Sequence, residues 1–384
     1  MSAIAPGDAR ALTRALVEID SRNPSLVPGA PGEQGCAGFL RGVLDAWGFR
    51  TELQEAAPGR PNLIARIGSA RGGRTLMFNG HLDVVGIEGM THPPFSAVER
   101  DGRLYGRGSA DMKGGIAAMC AAAHLAAAQG IDGEIIVAAV ADEEYVSLGT
   151  RALVESGVRA DACVVTEPTK LAIMPAHRGF VWLEVEVAGR AAHGSRWEIG
   201  VDAIRHAGLL LAELDRIDSE VLPKREHPLL GRPSLHASLI EGGTGLSTYP
   251  ERCVVGIERR TIPGETQAHV MAEFQRACAA VAARRSSFVA KVRPIASQGP
   301  SDVAVDAPLV LALGDALRAT GERVRIEGMS AWTDAALLNE AGIPAVCFGP
   351  GDISLAHAAE EYIPLNEIDR ARDVLTALAR TWCG

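Results

Sequence analysis

A histidine and an aspartate stand two residues apart in the segment Phe78–Val85, where an apolar run ends. Side chains at this spacing point to the same face of a β-strand, so His81 and Asp83 would lie side by side. An imidazole next to a carboxylate is typical of a zinc ligand and the group that orients it. One such pair is a weak signal in a chain of 384 residues, so its interpretation depends on further ligands.

Four other segments carry acidic or histidine side chains near the ends of predicted strands. Asp111 follows a glycine-rich turn that opens an alanine-rich helix, and the three acids 142–144 end an apolar strand. Glu167 follows the next strand, and His357 lies in a glycine-rich loop after the last one. Each has an ordinary alternative. Asp111 could be a helix N-cap, which stabilises a helix by about 1 kcal/mol, and the others could be solvated or structural loop residues.

Together the segments supply two imidazoles and three carboxylates. These side chains are His81, Asp111, Glu144, Glu167 and His357. In an α/β sheet the carboxyl ends of the strands border the crevice where such folds bind their ligands. Nitrogen and oxygen ligands in this ratio suit two divalent ions that share one bridging carboxylate and keep open positions for water. The set contains too many oxygen ligands for a structural zinc site.

The elements that must position these residues follow two patterns. Up to residue 178, and again from 294, apolar strands alternate with helices, which predicts an α/β sheet covered by helices on both faces. From 179 to 293 the order is strand, helix, strand, strand, helix, strand, which is the ferredoxin-like α+β pattern. Val181–Val187 alternates apolar and charged residues, as a half-exposed strand does. We therefore predict a catalytic domain over 1–178 and 294–384, with a smaller domain inserted over 179–293.

The composition indicates a packed soluble protein and argues against several functions. The net charge is −9 and no basic cluster occurs, so a nucleic-acid partner is not expected. The seven cysteines are scattered and form no C-x-x-C pair, which suits reduced core residues. The N-terminus lacks a signal-peptide pattern, and the apolar run Ile116–Ala128 is too short to span a membrane. We predict a cytoplasmic protein without a membrane partner.

The chain resembles the dizinc amidohydrolases that include acetylornithine deacetylase, succinyl-diaminopimelate desuccinylase, aminoacylase and glutamate carboxypeptidase. The resemblance covers essentially the whole chain. It is carried, in chain order, by Gly80-His-Leu-Asp-Val-Val, Gly106-Arg-Gly-x-x-Asp-x-Lys-Gly, Asp142-Glu-Glu, Glu167-Pro-Thr, Ala192-His-Gly-Ser, Arg260-x-x-Pro-Gly-Glu and Ala356-His. For the fold it implies a zinc-peptidase-like mixed sheet flanked by helices, with the inserted domain serving as a dimerisation domain and lid.

The resemblance also implies a role for each candidate ligand. Asp111 would bridge both metal ions. His81 and Glu167 would complete one site, and Glu144 and His357 would complete the other. Asp83 would accept a hydrogen bond from the second imidazole N–H of His81 and so fix its tautomer.

Further roles follow from the same resemblance. Glu143 would be the general base, taking a proton from the attacking water and giving it to the leaving amine. The Asp111–Met112 peptide would be cis. His193 would reach across a dimer and stabilise the oxyanion, and Arg260 would bind the substrate carboxylate. Ser247 stands where many members carry asparagine, and serine keeps a hydrogen-bonding group for the substrate or oxyanion but is shorter.

The expected activity is hydrolysis of the amide bond of an N-acyl amino acid, like that of acetylornithine deacetylase, by a homodimer holding two divalent ions. Zinc is expected, with cobalt or manganese as alternatives. The alternative activity is that of a dipeptidase, a carboxypeptidase or a desuccinylase, with a short peptide among the possible substrates. The fold and the metal ions do not distinguish these activities. A metal-dependent binding protein that has lost catalysis is a third reading, which the presence of Glu143 and every implied ligand disfavours.

Overall fold

The computed structural model describes residues 4–69 and 72–384, and the chain divides into two units. The first unit comprises Met1–Pro175, Val303–Glu327 and Thr333–Gly384. The second comprises Ala176–Asp302 and Gly328–Trp332, and the segment 179–293 predicted as an insertion lies within it. Each unit has its own hydrophobic core.

The helices and strands of both units are numbered here along the chain. The helices are α1 (Ala9–Val17), α2 (Gln34–Ala46), α3 (Gly114–Ala128), α4 (Leu148–Glu155), α5 (Ala203–Arg216), α6 (Gln267–Arg284), α7 (Pro308–Ala319), α8 (Ala335–Glu340) and α9 (Leu365–Cys383). The strands are β1 (Arg50–Ala57), β2 (Arg60–Gly68), β3 (Thr75–His81), β4 (Val98–Arg100), β5 (Arg103–Tyr105), β6 (Glu134–Val140), β7 (Ala162–Val165), β8 (Ile173–His177), β9 (Gly179–Ala188), β10 (Ser234–Gly242), β11 (Arg252–Thr261), β12 (Val289–Gln298), β13 (Ser301–Asp302), β14 (Ile326–Met329), β15 (Ala345–Cys347) and β16 (Tyr362–Pro364).

The first unit is built on a mixed sheet with the strand order β1-β2-β6-β3-β7-β15-β8. Its centre is parallel, because β3 pairs in parallel with β6 and β7, and β7 pairs in parallel with β15. Strands β1, β2 and β8 pair antiparallel with their neighbours. Successive residues of β3, such as Met77 and Phe78, are both fully buried, as expected for a strand covered on both faces. The carboxyl ends of the parallel strands therefore share one edge of the sheet.

Helix α3 is buried on almost all sides. Its residues from Gly114 to Ala123 are buried, and it packs against α1 and α9. A helix that is apolar all round belongs in a protein core when it is too short to cross a membrane. Among the described residues, no helix combines the length and apolar character that a membrane span requires.

The second unit contains an antiparallel sheet in the order β10-β11-β9-β12. Residues of α5 and α6 form the hydrophobic core of this unit together with residues of the sheet. In β9, Val181, Leu183 and Val185 are buried, whereas Trp182 is exposed, which is the predicted alternation. The element order and strand order are those of a ferredoxin-like fold. The fold class predicted from the sequence is therefore confirmed in both units.

Two predictions about individual elements need correction. The sequence pattern predicts a short strand over Val324–Ile326, whereas β14 runs from Ile326 to Met329. The sequence pattern gives no strand prediction over Ile173–His177, where β8 lies; this segment contains Pro175, and proline is rare in strand interiors. In contrast, the sequence pattern predicts a helix over Pro308–Ala319, and α7 begins and ends at these residues.

Candidate metal centre

His81 is the last residue of β3 and is buried. Its Nδ1 lies 2.9 Å from the main-chain oxygen of Asp83 and 3.8 Å from the carboxylate Oδ1 of the same residue. The orienting group is thus the Asp83 carbonyl rather than its carboxylate. Because a carbonyl oxygen only accepts hydrogen bonds, Nδ1 carries a proton, which leaves Nε2 as the nitrogen that can bind a metal ion once it is deprotonated. That Nε2 faces Asp111, with its Oδ1 at 3.1 Å.

The Asp83 carboxylate positions the two glutamates that follow β6. It accepts hydrogen bonds from the main-chain amides of Glu143 and Glu144, both at 3.2 Å, and from Asn23 Nδ2 at 2.8 Å. Burial raises the pKa of Asp83 to about 7, against the opposing charge of His81. The Asp83 carboxylate therefore fixes the backbone of Glu143 and Glu144.

Asp111 lies three residues before the start of α3, so the N-cap alternative is wrong. Its backbone is not helical, with φ −120° and ψ 95°, and the peptide that joins it to Met112 is cis, as the resemblance predicts. One carboxylate oxygen is 3.1 Å from His81 Nε2 and the other is 3.6 Å from His357 Nε2. Burial acts to raise the pKa of Asp111, but the hydrogen bond from His81 and nearby positive charges hold it below its usual value. The Asp111 carboxylate therefore lies between the two imidazoles.

Glu143 and Glu144 have different surroundings although they are neighbours. Glu144 Oε2 lies 2.9 Å from His357 Nε2, and this contact raises the pKa of His357 to about 9. Glu143 Oε2 lies 4.0 Å from His81 Nε2. Burial raises the pKa of Glu143 well above its usual value, and the charges of Glu167 and other carboxylates add to the effect.

The described residues contain two groups of side chains whose ligand atoms lie within 4.8 Å of one another. One group is His81, Asp111 and Glu144, and the other is His81, Glu143 and Glu167. Burial followed by repulsion from Asp111 raises the pKa of Glu167 well above its usual value. Carboxylates so close together need positive charge, and imidazole and carboxylate donors are the ligands that zinc and similar divalent ions bind. The donor set therefore fits two divalent cations.

The sequence motifs assign no role to two further parts of the site. Arg60 donates to both oxygens of Glu33, at 2.5 and 2.6 Å, and to Asp142 Oδ1 at 2.9 Å. Asp142 is buried, has φ 68°, and starts the turn that presents the glutamates. Asp334 is also buried, accepts from Thr150 Oγ1 at 2.6 Å, and contributes to the raised pKa of Glu143.

The remaining predicted site residues belong to the second unit. His193 lies in the exposed loop after β9, and the main-chain amide of Ser195 donates to its Nδ1 at 3.2 Å. The loop of Ser247 pairs with this loop, because the Gly194 amide donates to the Ser247 carbonyl at 2.7 Å. Within this unit, His193 and Ser247 are therefore neighbours.

Arg260 lies on β11. Its Nη2 is 2.9 Å from Glu258, and its guanidinium carbon lies 5.6 Å from the centroid of the Phe180 ring. The side chain is 32% exposed, so part of the guanidinium can reach a ligand. The ring beside it restricts its orientation.

Comparison with known proteins identifies relatives over almost the whole chain. The profile of Peptidase family M20/M25/M40 matches residues 77–381. An acetylornithine deacetylase from Myxococcus xanthus is 32% identical over 354 residues, which cover 90% of this chain and 91% of that protein. Aminopeptidase PepT from Bacillus cereus has a similar structure, with a TM-score of 0.82 at 21% identity over 100% of both chains. The YXEP protein from Bacillus subtilis, a dinuclear metal binding peptidase, gives 0.75 at 18% identity over 98% of this chain and 97% of that one. Both of these solved structures share the fold of this chain.

Proposed function

The chain belongs to Peptidase family M20/M25/M40, and from this premise we propose that it hydrolyses the amide bond of N-acyl amino acids with the help of two divalent metal ions. One observation carries the proposal: the imidazole of His81 and the carboxylates of four acidic residues converge at the sheet edge, namely Asp111, Glu143, Glu144 and Glu167. The 32% identity to an acetylornithine deacetylase supports an N-acyl amino acid as the substrate class.

In this proposal Asp111 is the shared ligand, His81 and Glu167 bind one ion, and Glu144 and His357 bind the other. The positions of the two imidazoles, 3.1 and 3.6 Å from the two oxygens of Asp111, support this assignment. Bound divalent ions would polarise the amide carbonyl and lower the pKa of the attacking water. We expect zinc, with cobalt or manganese as alternatives, because nitrogen and oxygen ligands accept all three.

Glu143 is the general base of the proposed reaction. It takes a proton from the attacking water and passes it to the leaving amine, so it must gain and lose a proton near neutral pH. A pKa raised by burial and by neighbouring carboxylates favours this role. The hydrogen bond from its main-chain amide to Asp83 holds the residue in place.

His193 of a second subunit stabilises the oxyanion in the proposed mechanism. The hydroxyl and the main-chain amide of Ser195 both contact Nδ1, at 2.9 and 3.2 Å, which leaves Nε2 as the ring nitrogen available to donate a hydrogen bond to the oxyanion. Dimerisation is supported by the edge strand β10, which exposes Leu239 and Ile240 by 75% and 58%. Exposed apolar residues on an unpaired strand edge are typical of a surface that another chain covers.

The other assignments follow the same scheme. Arg260 binds the substrate carboxylate with its exposed guanidinium edge, and Ser247 is a candidate for the contact that asparagine makes in many relatives. We assign the first unit to catalysis and the second to dimerisation and a lid. All seven cysteines are free, which supports a reducing compartment and hence the cytoplasm.

A substrate panel tests the function. Full-length protein loaded with Zn²⁺ or Co²⁺ is assayed against N-acetyl, N-formyl and N-succinyl amino acids and against unblocked dipeptides. We expect the highest kcat/KM on an N-acyl amino acid, and no turnover in excess chelator. Higher kcat/KM on dipeptides would contradict the proposal in favour of a peptidase. Absence of turnover on every compound, with both ions bound, would favour a binding protein.

A further inference from the structure

Glu361 is a buried carboxylate at the edge of the metal centre, and the sequence motifs do not single it out. It directly precedes β16, whose first residue, Tyr362, pairs with Tyr105 at the end of β5. This pairing brings residue 361 alongside the turn that follows β5, where the Gly106 amide donates to the Glu361 carbonyl at 3.3 Å. The side chain of Glu361 is only 1% exposed.

Both carboxylate oxygens of Glu361 accept hydrogen bonds from the segment that ends in Asp111. Oε1 accepts from the main-chain amides of Ala110 and Asp111, at 3.0 and 3.1 Å. Oε2 accepts from the Gly108 amide at 3.0 Å and from Arg107 Nη1 at 2.7 Å. One side chain thus gathers three main-chain donors and one guanidinium.

These main-chain amides depend on a side-chain acceptor. Gly108 has φ 79° and Asp111 has φ −120°, so the segment does not follow a helical path before α3 begins. Buried amides without a partner are costly, and a carboxylate that accepts several of them fixes the backbone between them. The direction in which Asp111 projects is set by this backbone.

Glu361 also lies four residues after His357, whose Nε2 is 3.6 Å from Asp111 Oδ2. The short segment 357–361 therefore contacts Asp111 at both ends. At residue 357 the imidazole faces the Asp111 carboxylate, and at residue 361 the Glu361 carboxylate accepts a hydrogen bond from the main-chain amide of Asp111.

We propose that Glu361 is a positioning residue for Asp111, which fixes the backbone of residues 108–111 so that the Asp111 carboxylate can serve both metal ions. The inference rests on the proposed role of Asp111 as the shared ligand. A carboxylate with a purely structural role would affect the stability of the fold but not the metal affinity of the folded chain.

Glu361→Gln tests the proposal, because the amide nitrogen of glutamine would face donors and cannot accept from them. Glu360→Gln is the matched control, since Glu360 is adjacent in sequence and its side chain is 59% exposed. Metal-depleted, full-length protein is titrated with Co²⁺ by calorimetry, and kcat and KM are measured on the best substrate of the panel. For Glu361→Gln we expect Co²⁺ affinity and kcat to fall by about 10- to 100-fold, with KM little changed and the control at wild-type values.

Glu361→Asp is the second variant. It keeps the negative charge near Arg107 but is too short to reach all of the main-chain amides, so it should fold and show a smaller loss in the same direction. If either folded variant matches the wild type in Co²⁺ affinity and kcat, the proposal is wrong, even when its melting temperature has dropped. If Glu361→Gln does not fold, the result for Glu361→Asp decides. The Co²⁺ titration needs no substrate, so failure of the proposed activity would leave this test intact.

Discussion

Arg60 neutralises two buried carboxylates behind the candidate base, and we expect Arg60→Met to destabilise the protein strongly. Its side chain is 10% exposed, and those of Glu33 and Asp142 are fully buried. Methionine fills a similar volume but donates no hydrogen bond, so both carboxylates would lose their cation. The perturbation therefore removes charge compensation rather than packing.

The contacts set the size of the effect. Arg60 makes hydrogen bonds of 2.5, 2.6 and 2.9 Å to these carboxylates. Asp142 keeps a bond from Asn23 at 3.1 Å and Glu33 keeps one from the Asp142 amide at 3.2 Å, so each carboxylate retains part of its solvation. Removal of one partner from a buried ion pair costs about 3–5 kcal/mol. For a unit of this size that corresponds to a fall in melting temperature of about 10 °C.

The assay is thermal unfolding followed by circular dichroism in excess chelator, so that metal binding does not contribute. Arg66→Met is the matched control, because Arg66 lies on the same strand and its ion pair with Glu134 is 32% exposed on the arginine side. An ion pair of that kind contributes about 0–1 kcal/mol. If Arg60→Met and Arg66→Met lower the melting temperature equally, the reasoning about the buried network is refuted.

Three other predictions concern the metal centre and the second unit. Glu143→Gln should lower kcat by about 10²- to 10⁴-fold and leave Co²⁺ affinity in calorimetry nearly unchanged; retained kcat would exclude Glu143 as the base. In chelator, the melting temperature should fall as pH rises from 6 to about 9, because the pKa values of Glu143, Glu167 and His357 are all raised in the folded state, that of His357 to about 9. Such groups bind protons more tightly in the folded state, so their contribution to stability is lost as pH rises. A melting temperature that increased over this pH range would contradict the raised pKa values. His193→Ala should reduce kcat by orders of magnitude with unchanged metal content and dimer mass, whereas His269→Ala, which changes another exposed histidine of the same unit, should not; equal kcat values for the two variants would exclude the proposed role.

Much of the fold can be predicted from the sequence, because the signals are local. The apolar runs of β3, β6 and β7 indicate buried strands, and the alternation in β9 indicates a half-exposed one. Boundaries that depend on tertiary pairing are less predictable. Strand β14 is shifted from its predicted range, and β8 contains a proline that local patterns count against a strand.

The sequence by itself determined which side chains could form the site. Four of the strands that precede candidate ligands are neighbours in parallel pairings, so residues that follow them must meet at one edge. The order of His81, Glu144, Glu167 and His357 along the chain is therefore enough to predict that these four converge. The order of these residues predicts their convergence because the parallel direction of the strands is a property of the α/β fold class. Asp111 instead follows β5 of a separate antiparallel sheet, so its place in the site depends on the tertiary structure.

Only the tertiary structure decided what holds these side chains in place. Asp83 orients His81 through its main-chain oxygen, and its carboxylate instead accepts the amides of Glu143 and Glu144. Arg60 and Glu361 contact partners that are 82 and 250 residues away in the chain. Such partners have no sequence period, because a buried donor or acceptor is satisfied by whichever group the folded chain brings within reach.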